Sequence, residues 1–333
     1  MKAGAATGLI APEVVAAYPV AQLTILQELE GFRNENWLVE DERGHRYVLR
    51  RNVQHTSPER IEFQARFQQH LLSHGFPVAR IIETRAGEPF AVDGDGFLWT
   101  LFEYVDGQEY DFARREQVVE AARRLAEFHV IAETFPGEGV ALRYQQPIRE
   151  WWATAAENQA QLEEMYAGQG VEDELGHLRE RWRQLLAEWP LARVDALPVG
   201  WVHGDYHGRN VVFAGDGIRA VFDFDDMERG PIIYDVAIAA QRFGREGRGL
   251  VSIRPEVGRL FVREYSRVRT LTDEEREALP TMVSISFPPN AAYHRYCREH
   301  RGEDIVARLR LEVMIMRTLE AEVDRIWPTL RDA

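Results

Sequence analysis

Two acidic blocks joined by a short hairpin constrain this chain more than any other part of it. The first is His203-Gly-Asp-Tyr-His-Gly-Arg-Asn210 and the second is Val221-Phe-Asp-Phe-Asp-Asp226. Ala214-Gly-Asp-Gly217 lies between them and is a strong signal for a tight hairpin turn. The run Ile218–Phe222 is apolar apart from Arg219 and ends at Asp223, so Asp223 is expected to project from the end of a strand. Pairing the two strands brings Asn210 and Asp223 to one end of the hairpin. With Asp205 in the loop just before, three oxygen-bearing side chains are expected at the mouth of a cleft.

The spacing H-x-D-x-x-x-x-N is that of a phosphoryl-transfer catalytic loop. In such a loop the Asp orients and deprotonates an attacking hydroxyl, and the Asn holds a metal ion on the phosphates. Asp205 is therefore the candidate base. Asn210 offers a neutral carbonyl oxygen and Asp223 a charged one, which suits Mg²⁺, a cation that prefers hard oxygen ligands and keeps several waters. Asp225 either stands behind these ligands or is a solvated loop charge. His203 is expected to brace the loop through its ring. His207 either meets substrate or phosphate or is a bystander in the loop. Asp235 is expected to be buried. It either caps the helix that begins at Val236 or accepts backbone N–H bonds from the catalytic loop.

The first hundred residues read as strand-rich with one helix. Strands are expected at Ile25–Glu30, Asn36–Glu40, Arg46–Arg51, Ile81–Arg85, Phe90–Val92 and Phe97–Tyr104. The helix starts near Thr56-Ser-Pro-Glu59, traces Ile61, Ala65, Gln68 and Leu72 along one side, and stops at Gly75. The loop Gly31-Phe-Arg-Asn-Glu-Asn36 sits between two strands, where a Gly and short polar residues let backbone N–H groups approach a triphosphate. Lys2 is the only lysine in the 333 residues, so any cationic grip on a phosphate from the body of the chain falls to Arg or His. Arg50, ending Tyr47-Val-Leu-Arg50, is the candidate, with Glu59, Glu62 or Gln64 as its partner. Glu103 and Val105 lie where a main chain crossing to the next lobe could bond an adenine.

Beyond Val105-Asp-Gly107 the pattern becomes helical. Helices are expected at Arg114–Ala132, Ile148–Tyr166, Glu172–Trp189, Pro255–Ser266, Asp273–Leu279 and Asp304–Ile326. The resulting picture is α+β: residues 1–104 form a small antiparallel lobe for a nucleotide, and residues 105–333 a larger helical lobe with the catalytic loop and acceptor site. A net charge of −14 argues against a nucleic-acid partner. No apolar run suits a membrane span, and a single cysteine, Cys297, fits a reducing, cytoplasmic setting. A monomer or homodimer is expected. The acidic stretch Asp223–Glu228 points to a cationic acceptor.

Taken together, Gly31–Asn36, Tyr47–Arg50, Leu125-Ala-Glu-Phe-His129, His203–Asn210 and Val221–Asp225 resemble the aminoglycoside phosphotransferase and choline kinase superfamily. The likeness spans about residues 25 to 240 and is strongest to homoserine-kinase-like bacterial members. It implies a protein-kinase-like fold, ATP and Mg²⁺ as cofactors, and a small-molecule acceptor, with Asp205 as base and Asn210 and Asp223 as metal ligands. Arg50 departs from the usual Lys. A Ser/Thr protein kinase of the same fold and a nucleotide-binding pseudokinase are the alternatives. Gly204–Gly208 also looks like the G-D-x-H-G block of two-metal phosphoesterases, but the downstream G-N-H-[DE] block those enzymes need is missing.

Overall fold

The structure, a computed structural model, describes residues 10–29, 34–53, 57–138, 147–286 and 288–330. Its first part contains α1 (Pro12–Ala17), β1 (Thr24–Leu29), β2 (Glu35–Glu40), β3 (Arg46–Asn52), α2 (Pro58–Ser73), β4 (Ile81–Ile82), β5 (Ala91–Val92) and β6 (Leu98–Glu103). The strands form one antiparallel sheet in the order β1-β2-β3-β6-β4, with β5 added to β6. One face carries the buried Trp37, Val39, Leu49, Trp99 and Leu101, against which α1 lays Val14 and Tyr18. Trp37 and Trp99 stack at 5.5 Å, and the Tyr18 hydroxyl donates to the Trp99 carbonyl at 2.6 Å. The turn between β2 and β3 is closed by Asp41, whose Oδ1 accepts from the N–H groups of Arg43 and His45.

The second part comprises α3 (Arg115–Glu133), α4 (Ile148–Ala153), α5 (Ala155–Met165), α6 (Glu172–Glu188), α7 (Leu191–Val194), β7 (Val199–Val202), β8 (Val211–Ala214) and β9 (Gly217–Val221). A short 3₁₀ turn (Phe224–Asp226) and β10 (Glu228–Pro231) follow, then α8 (Ile232–Gly244), α9 (Pro255–Ser266), α10 (Asp273–Ser284), α11 (Ala291–Arg301) and α12 (Ile305–Leu330). The centre of this part is α3, which buries Val118, Ala122, Leu125 and Phe128 at helical spacing. Among the described residues no helix is long and apolar enough to cross a membrane.

The helix α2 departs from expectation in the face it buries. Ile61 and Gln68 of the expected side are buried, but Ala65 and Leu72 are only half-buried, and the fully buried stripe is Phe63, Phe67 and Leu71. The aromatic rings decide the matter, because they remove far more apolar area from water than Ala or Gln. Phe63 and Phe67 pack on Trp201 at 5.3 and 5.6 Å, so α2 docks on the core of the helical part. That rotation carries Arg60 and Gln64 to the edge of the catalytic segment.

Three helical expectations are corrected. The helix expected over Ile148–Tyr166 breaks at Thr154, whose hydroxyl bonds back to the Glu150 carbonyl at 2.9 Å. α10 does not stop at Leu279 but runs through Pro280 to Ser284. Burial of Ala278, Leu279, Met282 and Val283 outweighs the lost backbone bond there. Finally, α11 fills a segment where no helix was expected. Asn290 caps it by accepting from Tyr293 N–H at 2.9 Å, and Gly302 ends it at a φ of 61°.

Candidate active site

The catalytic segment begins where the buried strand β7 ends. Gly204 has a φ of 79°, and a Cβ there would meet the Asp226 carbonyl oxygen at 2.5 Å, so only glycine fits. Behind this turn lies Asp235, fully buried in the first turn of α8. Its Oδ2 accepts from His203 N–H at 2.8 Å and its Oδ1 from Gly204 N–H at 3.0 Å. It is thus an anchor for the loop backbone; the residue preceding α8 is Pro231. His129 of α3 reaches the same carboxylate with Nε2 at 3.1 Å, and its Nδ1 lies 2.7 Å from the Tyr265 hydroxyl of α9. Nothing in the sequence pointed to Tyr265, because its link to the loop runs through three helices.

The ring of His203 is buried and spans the loop. Its Nε2 lies 3.2 Å from the Phe222 carbonyl, and its Nδ1 is 3.4 Å from Asp205 N–H. A neutral ring, donor at Nε2 and acceptor at Nδ1, satisfies both contacts. Burial pushes its pKa down from the ordinary histidine value, against the pull of Asp235 and Asp205.

Asp205 presents its two carboxylate oxygens in different directions. Oδ2 is 3.3 Å from His207 Nε2 and 3.3 Å from Asn210 Nδ2, while Oδ1 is 3.9 Å from Arg242 Nη2. Asn210 is buried and also donates Nδ2 to the Asp205 carbonyl at 2.9 Å, which leaves its Oδ1 as the atom to meet a cation. His207 Nδ1 accepts from Arg209 N–H at 3.1 Å, so its Nε2 carries the proton toward Asp205.

The hairpin turns at Gly215, which has a φ of 63°, and its register pairs Val211 with Val221. One step further, the Asn210 carbonyl accepts from Phe222 N–H at 3.0 Å, so Asn210 and Asp223 leave the same end of the paired strands. Asp223 has a φ of 66°, the one positive value for a non-glycine residue among those described. A left-handed aspartate is tolerated but strained, and such strain gathers at functional positions. Burial first, then Asp225, and further Asp205 and Asp226 push the Asp223 pKa up, while Arg50 opposes them. A carboxylate crowded by others is stabilised in its charged form when a cation arrives.

The sheet part closes over this edge. Arg50 donates Nε to Asn36 Oδ1 at 3.0 Å and Nη1 to the Asp225 carboxylate at 3.2 and 3.3 Å, and it lies 3.5 Å from Asp223. Asn34 donates to Asp225 Oδ2 at 2.7 Å and Gln64 to Asp225 Oδ1 at 3.3 Å. Arg60 donates to the carbonyls of Asp225 and Met227 at 2.9 and 2.7 Å. Asp225 is therefore a buried acceptor that joins the two parts. The partners of Arg50 are Asp225 and Asp223 instead of Glu59 or Glu62; Glu59 bonds Ser57, and Gln64 shares Asp225 with Arg50. Gly31 lies outside the described residues.

Glu103 ends β6, with its N–H bonded to the Arg80 carbonyl at 2.8 Å. Val105 follows on the crossover, which Gln108 and Phe213 tie to β8 by two backbone bonds of 2.9 and 2.8 Å. Glu103 and Val105 stand on the crossover between β6 and α3. Trp151 and Trp152 are core residues at 2% exposure each.

The donor set fits magnesium. Among the described residues no three His, Cys, Asp or Glu side chains form a metal cluster. One amide oxygen, from Asn210, and one carboxylate, from Asp223, are hard donors that leave coordination positions for water and phosphate oxygens.

Comparison with known proteins identifies the family and the fold. The family model described as "Phosphotransferase enzyme family" matches residues 25–278. A homoserine kinase of Sinorhizobium medicae is 28% identical over 284 residues, covering 81% of this chain and 78% of that protein. The crystal structure of an aminoglycoside phosphotransferase from Alicyclobacillus acidocaldarius superposes with a TM-score of 0.66 at 20% identity, covering 97% of this chain and 96% of the other. A microcompartment-associated aminopropanol kinase gives a TM-score of 0.66 at 18% identity, covering 94% of this chain and 95% of the other.

Proposed function

The chain belongs to the phosphotransferase enzyme family and is a small-molecule kinase of protein-kinase-like fold, and from that premise we propose that it moves the γ-phosphoryl group of ATP to the hydroxyl of a small acceptor of homoserine type. The observation that carries the reading is the joint placement of Asp205, Asn210 and Asp223 at one end of the hairpin, with Arg50 reaching in from the sheet.

Each residue then has a part. Asp205 Oδ2 takes the acceptor's hydroxyl proton, held in place by the donors of His207 and Asn210. Asn210 Oδ1 and the Asp223 carboxylate hold Mg²⁺, which when bound neutralises charge on the transferring phosphoryl group. Arg50 is the cation of the nucleotide side, supplying a planar fork where relatives of kinase type use Lys. Residues 1–104 serve the nucleotide, with adenine at Glu103 to Val105, and residues 105–333 supply the catalytic loop and the acceptor site. Asn34 borders the phosphates while tied to Asp225.

A nucleotide-consumption screen with product identification tests the reading, using homoserine, amino alcohols, sugars and aminoglycosides in the presence of Mg²⁺. Phosphorylation of homoserine or a close hydroxy amino acid is expected. Magnesium-independent turnover, or nucleotide binding with no phosphorylated acceptor, would sink it.

A further inference from the structure

Two carboxylates of the acidic stretch Asp223–Glu228 are already engaged. Asp225 is taken by Asn34, Arg50 and Gln64, and Glu228 Oε1 accepts from Ile148 N–H at 3.3 Å. The other side of Asp205 is basic. The end of α8 brings Arg242 to 3.9 Å from Asp205 Oδ1, and Arg245 follows one turn later. Arg209 of the catalytic loop adds its positive charge to the same neighbourhood.

Arg245 is half-buried and short of acceptors. Its Nη2 donates to Gln241 Oε1 at 3.2 Å, and its Nε is buried with no hydrogen-bond partner among the described residues. Asp205 is a carboxylate acting on it, and it also faces Arg242. Burial and Arg242 together push its pKa down to about 9, against Asp205. Its backbone is fixed as well: Arg245 bridges Ile253, and Glu246 N–H bonds the Ser252 carbonyl at 3.1 Å. A desolvated guanidinium on a held backbone, beside another cation, stabilises a negative charge placed next to it.

We propose that Arg245, with Arg242, receives a carboxylate of the acceptor and so selects hydroxy acids over the corresponding amino alcohols. The inference rests on the reading that Asp205 takes the acceptor's proton. Geometry favours the acceptor over the nucleotide as the source of this anion. Asp205 meets Asn210, a proposed metal ligand, through Oδ2 and Arg242 of α8 through its other oxygen, Oδ1. The nucleotide side already has its own cation in Arg50.

The test compares wild type, Arg245→Gln and Arg245→Lys on homoserine and on 3-amino-1-propanol, the same molecule without its carboxylate. A hydrogen bond to a charged group is worth about 1.5–3 kcal/mol, a factor of about 10 to 100. Arg245→Gln is therefore expected to lower the preference for homoserine, as a ratio of kcat/KM values, by about 10- to 100-fold. The loss is expected in the KM for homoserine, with Arg245→Lys recovering part of it. An unchanged ratio, or a rise confined to the KM for MgATP, overturns the proposal. Calorimetric binding of homoserine, with a non-hydrolysable ATP analogue and Mg²⁺, separates the two readings. Binding that depends on Arg245 without any turnover would defeat the kinase reading and leave the carboxylate site standing. Binding indifferent to Arg245 would defeat the site whatever the turnover.

Discussion

Asp235 and Asp225 both stand behind the catalytic residues as buried carboxylates, yet they hold different things. Asp235 grips backbone N–H groups of its own part of the molecule and is itself gripped by His129. Asp225 is held by side chains that come from the sheet and from α2, at separations of 191, 175 and 161 positions. A backbone anchored inside one core cannot shift without unfolding that core. A carboxylate held by side-chain amides and a guanidinium across a cleft can exchange its partners. The catalytic loop is thus built as a fixed edge, and the nucleotide side as a joint.

Loss of the fixed anchor should have the largest effect. Asp235→Ala leaves two loop N–H groups and His129 without their shared acceptor, and is expected to cost about 3–5 kcal/mol in urea unfolding. A loss under about 1 kcal/mol, the value of an ordinary hydrogen bond, would show that the loop is held some other way. Asp225→Asn removes the charge opposite Arg50 but keeps an acceptor oxygen. It is expected to cost about 1–3 kcal/mol and to raise the KM for MgATP while leaving the KM for the acceptor near wild type. An equal rise in both constants would erase the distinction between joint and edge.

The smallest effect is a pH slope on the loop side. The folded pKa of His203 lies below its ordinary value of 6.5, so the unfolded chain takes up the proton first as pH falls. Its contribution is therefore present above about pH 6.5 and is lost as pH drops toward the folded pKa, by at most about 1.4 kcal/mol per unit. His203→Asn should flatten this part of the stability profile relative to wild type. Parallel profiles for the two proteins would mean that the ring is not held neutral by the fold.

How far the sequence disclosed these features follows from how local their signals are. The hairpin was legible because Gly215 and Gly217 mark its turn and the flanking apolar runs set its register. The ends of α9 were legible for the same reason, with Pro255 opening it at its first turn. The helix α11 carried equally local caps, Asn290 and Gly302, and could have been found from them. Partners chosen by tertiary contact left no such trace. Arg50 had three nearby candidates on α2, yet two of its partners stand beyond position 220. Arg245 carried no motif at all, since its surroundings depend on where the end of α8 meets the catalytic loop. The acidic stretch showed how many carboxylates lie near the site, not that Asp225 and Glu228 among them are already paired.

Asp205→Asn tests the central claim most directly, by steady-state kinetics beside MgATP binding. Replacing the general base while keeping the side chain's shape should lower kcat by about 10²- to 10⁴-fold, with MgATP affinity within a few-fold of wild type. Turnover close to wild type would contradict the placement of the acceptor's proton on Asp205, and with it the reading of the whole cleft.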